Sequence, residues 1–244
     1  MAYQIQLISA GRASCTKDWY IAPLVGVNRI WYIHEGSVSF ALSEKTVTLR
    51  AGRLYLIAQT LPLRLLLDEQ THVDHTYFDF FSLPALVMDE VLEIDPSENS
   101  AIAAAMMPLT FFAKDEKHRE ATCAYIDAFL SVVEKELGLG TLKNETIAEA
   151  IRYIHAHFCE PISVEELAKR AHLEKSVFIR KFKHKARTTP YQYLKNLRVS
   201  VALAMMRTGR YSLLQIAERT GYCDASALSH AVKSVYGKYA GQIK

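Results

Sequence analysis

Two phenylalanines four apart, Phe178 and Phe182, mark one face of a helix predicted over Lys175 to His184 in this 244-residue chain. Burying that pair turns Lys175, Ser176, Ile179 and Arg180 outward, and Lys181, Lys183, Lys185 and Arg187 add positive charge nearby. Such a helix fits the major groove of double-stranded DNA, where outward side chains reach base edges while lysine and arginine neutralise phosphates. Arg180 is best suited to a guanine, because a guanidinium pairs bidentately with O6 and N7. A second helix, Ser226 to Tyr236, repeats the pattern with Leu228 and Val232 in the places of the phenylalanines. Its outward residues are Ala225, Ser226, Ser229 and His230, with Lys233 close by, a poorer set that predicts weaker and more position-tolerant reading.

No catalytic constellation competes with that chemistry. His34-Glu35 lacks the second histidine of a His-Glu-x-x-His zinc motif. His72 and His75 are three apart on a predicted strand and point to opposite faces, and His155 and His157, two apart on a helix, also diverge. The sequence has no phosphate-binding G-x-x-x-x-G-K-[ST] loop, no G-x-S-x-G elbow and no G-x-G-x-x-G turn. Four cysteines, at 15, 123, 159 and 223, are too scattered for a C-x-x-C site and too few for a disulfide scaffold, so they read as reduced and mostly buried. Neither enzymatic activity nor a cofactor or metal is expected.

The helices that would present these side chains form an internal repeat. In the first copy, Ser163-Val-Glu-Glu166 reads as a capping box, Leu167-Ala168 follow, and a turn at His172-Leu173 leads into the Lys175 helix. In the second, Ser212-Leu-Leu-Gln215 is the capping box, Ile216-Ala217 follow, and Gly221-Tyr222 make the turn. Between the copies Thr189-Pro190 starts a helix running to Arg207 and ending at Thr208-Gly209, with Leu194, Leu197, Val201 and Ala204 or Met205 on one face. That helix would space the two units rigidly. Charge divides along the same line: residues 1–144 have net charge −6 and residues 145–244 net +9, an acidic module joined to one suited to a polyanion.

The first 80 residues read as strands. Val38, Phe40 and Leu42 alternate with Ser39, Ala41 and Ser43, Val47 and Leu49 alternate with Thr46, Thr48 and Arg50, and Gly36 and Gly52 mark turns. Short apolar segments at 5–8, 30–34, 54–58, 63–67 and 73–81 complete a small barrel or sandwich. After Pro84 the pattern turns helical. Lys117 to Leu137 places Ile126, Phe129, Leu130, Val133 and Leu137 on one face, a packing or homodimer helix, and residues 138–144 break it as a linker. No apolar run approaches the roughly 20 residues a membrane helix needs, and the N-terminus shows no basic segment followed by an apolar one, so a cytoplasmic protein without membrane partners is expected.

Residues 145–244 resemble the DNA-binding domain of AraC/XylS-type transcription regulators. The resemblance rests on 162–168 (Ile-Ser-Val-Glu-Glu-Leu-Ala), Arg180-Lys-Phe-Lys183, Thr189-Pro190-Tyr-Gln-Tyr-Leu194, Arg198, Ile216-Ala217-Glu, Gly221-Tyr222 and Tyr236-Gly237. The chain departs from the pattern at His172 and Arg187, where the family usually has glycine, at Leu228 and Val232, where it has aromatics, and at Ala240 and Ile243-Lys244. The N-terminal half resembles, less tightly, the cupin-like domain of the same family. The resemblance implies an α+β architecture: a cupin-like effector-binding or dimerisation domain over 1–137, a linker over 138–144, and an all-α domain with two helix-turn-helix units over 145–244. It further implies recognition helices entering successive major grooves, an activator or repressor controlled by a small-molecule effector, and RNA polymerase as a further partner. Arg29, Trp31, Tyr32, His34, Tyr55 and Tyr77 are the candidates to line an effector pocket, with ordinary packing as the other role for each. In the alternative reading the N-terminal half serves dimerisation or protein docking and binds no small molecule.

Overall fold

The computed structural model describes residues 3–16, 27–42, 45–58, 61, 63–69, 71–83, 86, 88, 90–112, 118–139, 146–237 and 239–242. The chain divides into two compact units, 1–141 and 142–244. The predicted linker falls almost wholly on residues 140–145, outside the described residues. No helix among the described residues is long and apolar enough to cross a membrane.

The first unit is an antiparallel sheet of seven strands: β1 (Gln4–Thr16), β2 (Asn28–Leu42), β3 (Lys45–Arg50), β4 (Leu54–Ile57), β5 (Leu63–Leu66), β6 (His72–Leu83) and β7 (Leu92–Ile94). The order is β1-β6-β2-β4-β7, with β3 and β5 also paired to β2. Two predicted strands are thus one, because Gly36 does not end β2. It sits just past a register shift between Ile33 and Glu35, at φ +76°, where a Cβ would lie 1.9 Å from the His72 carbonyl oxygen. Only glycine fits that approach, so β2 bends and continues. Gly52, at φ +79°, does make a turn, donating its amide to the Ile33 carbonyl.

Side chains alternate across this sheet and feed two cores. On one face Ile30, Leu54, Leu56, Phe78 and Phe80 pack with residues of α1 (Ser100–Phe112) and α2 (Arg119–Leu137). On the other face Trp31, Ile33, Phe40, Tyr55, Ile57 and Val73 pack together. Ile126, Phe129, Leu130 and Val133 of α2 are wholly buried against the chain's own sheet, so the apolar face read as a dimer candidate is already covered. Leu137 departs from that face and is 46% exposed, at the last turn before the left-handed cap Gly138. β7 was missed in the sequence because three residues show too little alternation to register. The cysteines also differ from expectation: Cys15 is buried and Cys123 half-buried, but Cys159 and Cys223 are exposed.

The second unit is helical: α3 (Thr146–His157), α4 (Val164–Arg170), α5 (Lys175–Ala186), α6 (Pro190–Thr208), α7 (Leu213–Arg219), α8 (Ala225–Tyr236) and a 3-10 turn, Ala240–Gln242. Ile147, Ile151 and Ile154 of α3 are buried in it, as are Leu167, Phe178, Phe182, Leu197, Ile216, Leu228 and Val232. α6 is more than a spacer. Tyr193, Leu194, Asn196, Leu197, Val199, Ala202 and Leu203 are all buried, while Val201, Ala204 and Met205 of the predicted face are only half-buried. Consecutive buried positions put apolar surface all round this helix, as expected of one at the centre of a core.

Two non-glycine residues have positive φ: His172, at +50° after α4, and Arg187, at +56° after α5. The left-handed conformation brings Cβ against the following carbonyl and costs an L-residue on the order of 1–2 kcal/mol. Relief of that strain exceeds the extra chain entropy of glycine, so His172→Gly is expected to stabilise the second unit by about 0.5–1 kcal/mol. Urea unfolding followed by circular dichroism checks this, and a lowered midpoint would show that the exposed imidazole contributes more than the strain costs.

His155 and His75 predict acid sensitivity in the two units. Burial pushes His155 down to about 3. His75, packed 4.7 Å from Trp31, is pushed down to about 4 by burial, against the opposing pull of Asp79 and Asp74. Both imidazoles are neutral when folded, and the unfolded chain binds the extra protons below about pH 6.5. Stability is therefore full above that pH and falls as pH drops toward 4, by about 3 kcal/mol per histidine at pH 4.5. Urea midpoints measured from pH 7 to 4.5 should fall steeply, and His155→Gln should flatten the helical transition; a flat wild-type profile would contradict the assignment.

Candidate nucleic-acid interface

Each unit of the repeat is built as a capped helix, a turn and an outward helix. Ser163 accepts from the Glu166 amide at 3.0 Å, but the reciprocal half of its capping box is absent. The Glu166 carboxylate instead accepts from the Tyr153 hydroxyl at 2.7 Å and from Arg170, whose guanidinium lies 3.7 Å over the Tyr153 ring. The Tyr153 hydroxyl first, then Arg170, holds that carboxyl below the usual range. Glu166 therefore ties α4 to α3. In the second unit the box is complete: Ser212 accepts from the Gln215 amide at 3.2 Å, and Gln215 accepts from the Ser212 amide at 2.9 Å.

α5 places Phe178 and Phe182 in the core with no exposure and leaves Ser176, Arg180, Lys181 and Lys183 at the surface, Ile179 half-buried beside them. No hydrogen bond or ion pair engages Arg180 or Lys183 among the described residues. Lys175 differs from its sequence reading, because its ammonium is paired with Glu165 of α4. α8 starts at Asp224, whose carboxylate accepts from the Ala227 amide at 2.7 Å, a cap the sequence reading overlooked. Its outward face is more occupied. Ser226 is exposed, but Ser229 is half-buried and its hydroxyl accepts from the Ala240 amide at 3.3 Å. His230 sets its ring edge-on to Tyr239, and Lys233 donates to the Tyr239 hydroxyl at 2.8 Å.

Arg198, in the middle of α6, ties the end of α3 to the turn before α8. Its Nε donates to the Phe158 carbonyl at 2.6 Å and its Nη2 to the Glu160 carbonyl at 2.7 Å, which fixes the end of α3. The same guanidinium lies 5.8 Å from the Tyr222 ring centroid, and Gly221, at φ +76°, packs directly against it. Burial pushes the Tyr222 hydroxyl up to about 12, the nearby Arg198 opposing it.

The six effector-pocket candidates do not share a face. Arg29, Trp31 and Tyr77 belong with Tyr55 to one side of the sheet, whereas Tyr32 packs with the helix-side core and His34 bonds to Thr76 on that side. Arg29 is buried and paired through Nε with Asp79 at 2.7 Å, and Ser9 donates to the other Asp79 oxygen at 3.3 Å. Arg29 Nη1 is buried without a hydrogen-bond partner among the described residues. Tyr55 is wholly buried, and its hydroxyl accepts from the Arg50 amide at 2.8 Å. No group of three or more His, Cys, Asp or Glu among the described residues is arranged to hold a metal ion.

A helix-turn-helix family model matches residues 167–244, the segment holding both outward helices. Residues 167–244 form an AraC-type helix-turn-helix domain. The transcriptional regulator AlkR of Acinetobacter baylyi is 32% identical over 95 residues, 39% of this chain and 31% of AlkR. A putative AraC-like transcription regulator of Streptomyces antibioticus is 31% identical over 106 residues, so these matches span about a third of each relative's length. The Msm operon regulatory protein of Streptococcus mutans is similar over 93% of this chain and 88% of its own, at 19% identity. Among solved structures, ToxT from Vibrio cholerae shares the fold of the AraC-type domain and of the sheet before it, with a TM-score of 0.64 over 99% of this chain and 97% of its own at 11% identity. A ToxT structure with bound unsaturated fatty acid matches at TM-score 0.61 and 13% identity.

Proposed function

We propose that the chain is a sequence-specific DNA-binding transcription regulator in which α5 is the principal reading helix and α8 a weaker second one. The observation that supports this most directly is the outer face of α5, where Arg180 and Lys183 stand exposed and unengaged on a helix whose other side is locked into the core. Lys175, Ser176 and Ile179 border Arg180 on that face; Ser226, Ser229, His230 and Lys233 are their counterparts on α8. Arg180 reads a guanine and the lysines neutralise phosphates. The test is selection of bound sequences from a random DNA pool by the full-length protein at two salt concentrations. A site with two short blocks about one helical turn apart supports the paired-helix reading, and binding that is salt-sensitive but indifferent to sequence overturns it.

The N-terminal unit tunes that binding through a small molecule seated beside Arg29, Trp31 and Tyr77. By reciprocal linkage, such an effector changes DNA affinity as much as DNA changes effector affinity. The second reading, in which this unit docks a protein or a second copy, is favoured by the close burial of Arg29, Trp31 and Tyr55. With the apolar face of α2 already covered, a homodimer would use its outer face. Gel filtration across concentrations and DNA titrations with candidate effectors separate the two readings, and RNA polymerase is the further partner to test once a promoter site is known.

A further inference from the structure

The two outward helices differ most at their ends. Position by position, at an offset of 50 residues, Lys233 of α8 corresponds to Lys183 of α5, Gly237 to Arg187 and Tyr239 to Thr189. In the first copy Thr189 caps the next helix, its hydroxyl accepting from the Gln192 amide at 3.3 Å. Tyrosine has no hydroxyl within reach of such a cap. In the second copy the chain turns back at Gly237, whose left-handed cap donates to the Lys233 carbonyl at 2.7 Å, and lays Tyr239 along the outer side of α8. There the Lys233 ammonium donates to the Tyr239 hydroxyl at 2.8 Å and lies 4.1 Å from its ring centroid. The His230 ring meets the same tyrosine at 5.8 Å, and the Ala240 amide bonded to Ser229 pins the segment down.

We propose that Tyr239 is a positioning residue for the second reading helix, holding Lys233 extended beside α8 so that its ammonium meets a DNA phosphate. The inference rests on the DNA-binding reading above. A free lysine side chain loses rotamer entropy when it is ordered at an interface. Tyr239 imposes that order before DNA arrives, and the hydrogen bond leaves two ammonium N–H donors for a phosphate oxygen. The second unit, poor in base-reading side chains, thus contributes a preset backbone contact that fixes register, while the first unit supplies specificity.

The test uses the full chain on its selected DNA site, with affinity measured across a salt series. Lys233→Met is expected to weaken binding and to reduce the slope of log K against log salt by about 0.9, the loss of one phosphate contact. Tyr239→Phe keeps the ring and removes only the hydroxyl; binding is expected to weaken roughly three- to tenfold, with the slope unchanged. In the Lys233→Met background, Tyr239→Phe is expected to change nothing. An equal loss in both backgrounds would overturn the proposal in favour of a general structural role, as would tighter binding by Tyr239→Phe alone, which would mean the tyrosine withholds the lysine. Site selection that finds no specific DNA defeats the DNA-binding reading itself, whereas specific binding with no coupling between Lys233 and Tyr239 defeats only this inference.

Discussion

Gly221→Ala is expected to destabilise the AraC-type domain by about 3 kcal/mol, the sum of a left-handed backbone penalty and forced overpacking. The residue stands at φ +76°, and an added Cβ would meet the Cys159 carbonyl oxygen at 2.7 Å and the Arg198 guanidinium at 2.9 Å. Neither obstacle yields easily. The carbonyl is backbone, and Arg198 is held by bonds to the Phe158 and Glu160 carbonyls. For a domain of this size the shift corresponds to a thermal midpoint lowered by roughly 10–20 °C, measurable by circular dichroism. A loss below about 1 kcal/mol would mean that the segment after α3 and Arg198 shift without penalty, against the hydrogen bonds that hold them together.

Arg180→Ala is the change with the largest expected effect on recognition. It should cost about 1–3 kcal/mol at the selected site, a loss of roughly 5- to 150-fold, and relax preference at one base. Stability should hardly change, since the side chain is exposed and engages nothing among the described residues. His230→Ala, the same position one repeat later, should cost clearly less, because that imidazole is already set against Tyr239. Binding isotherms on the selected site and on single-base variants decide the matter. Equal losses at the two positions would contradict the asymmetry between α5 and α8.

Much of this architecture is visible in residue spacing. The Phe178 and Phe182 pair fixes which side of α5 is buried, and Leu228 and Val232 do the same for α8, because a helix repeats every 3.6 residues whatever surrounds it. The errors cluster where a distant partner decides. Glu166 completes a capping box by local rule, yet Tyr153, thirteen residues earlier, takes its carboxylate. Ser229 looks solvent-facing until the chain returns at Ala240. Gly36 reads as a turn, because only the paired strand reveals the His72 carbonyl that excludes a side chain. Two of the differences are local. Strand alternation already separates Tyr32 from Trp31, and Asp224, three residues before the amide it caps, fits the ordinary start of a helix.

Arg198 also limits how far the two reading units can be treated as interchangeable parts. One guanidinium fastens the end of α3, which braces α4 through Glu166, and closes over the turn that launches α8. A fragment holding α4 and α5 alone would lose that fastener and bare the core side of the first unit. Transplanting the first unit into another protein would carry its contact residues without their alignment. The smallest portable form of the helix-turn-helix module in this chain is therefore the whole span from α3 through the 3-10 turn, and its two helix-turn-helix units must be re-engineered together.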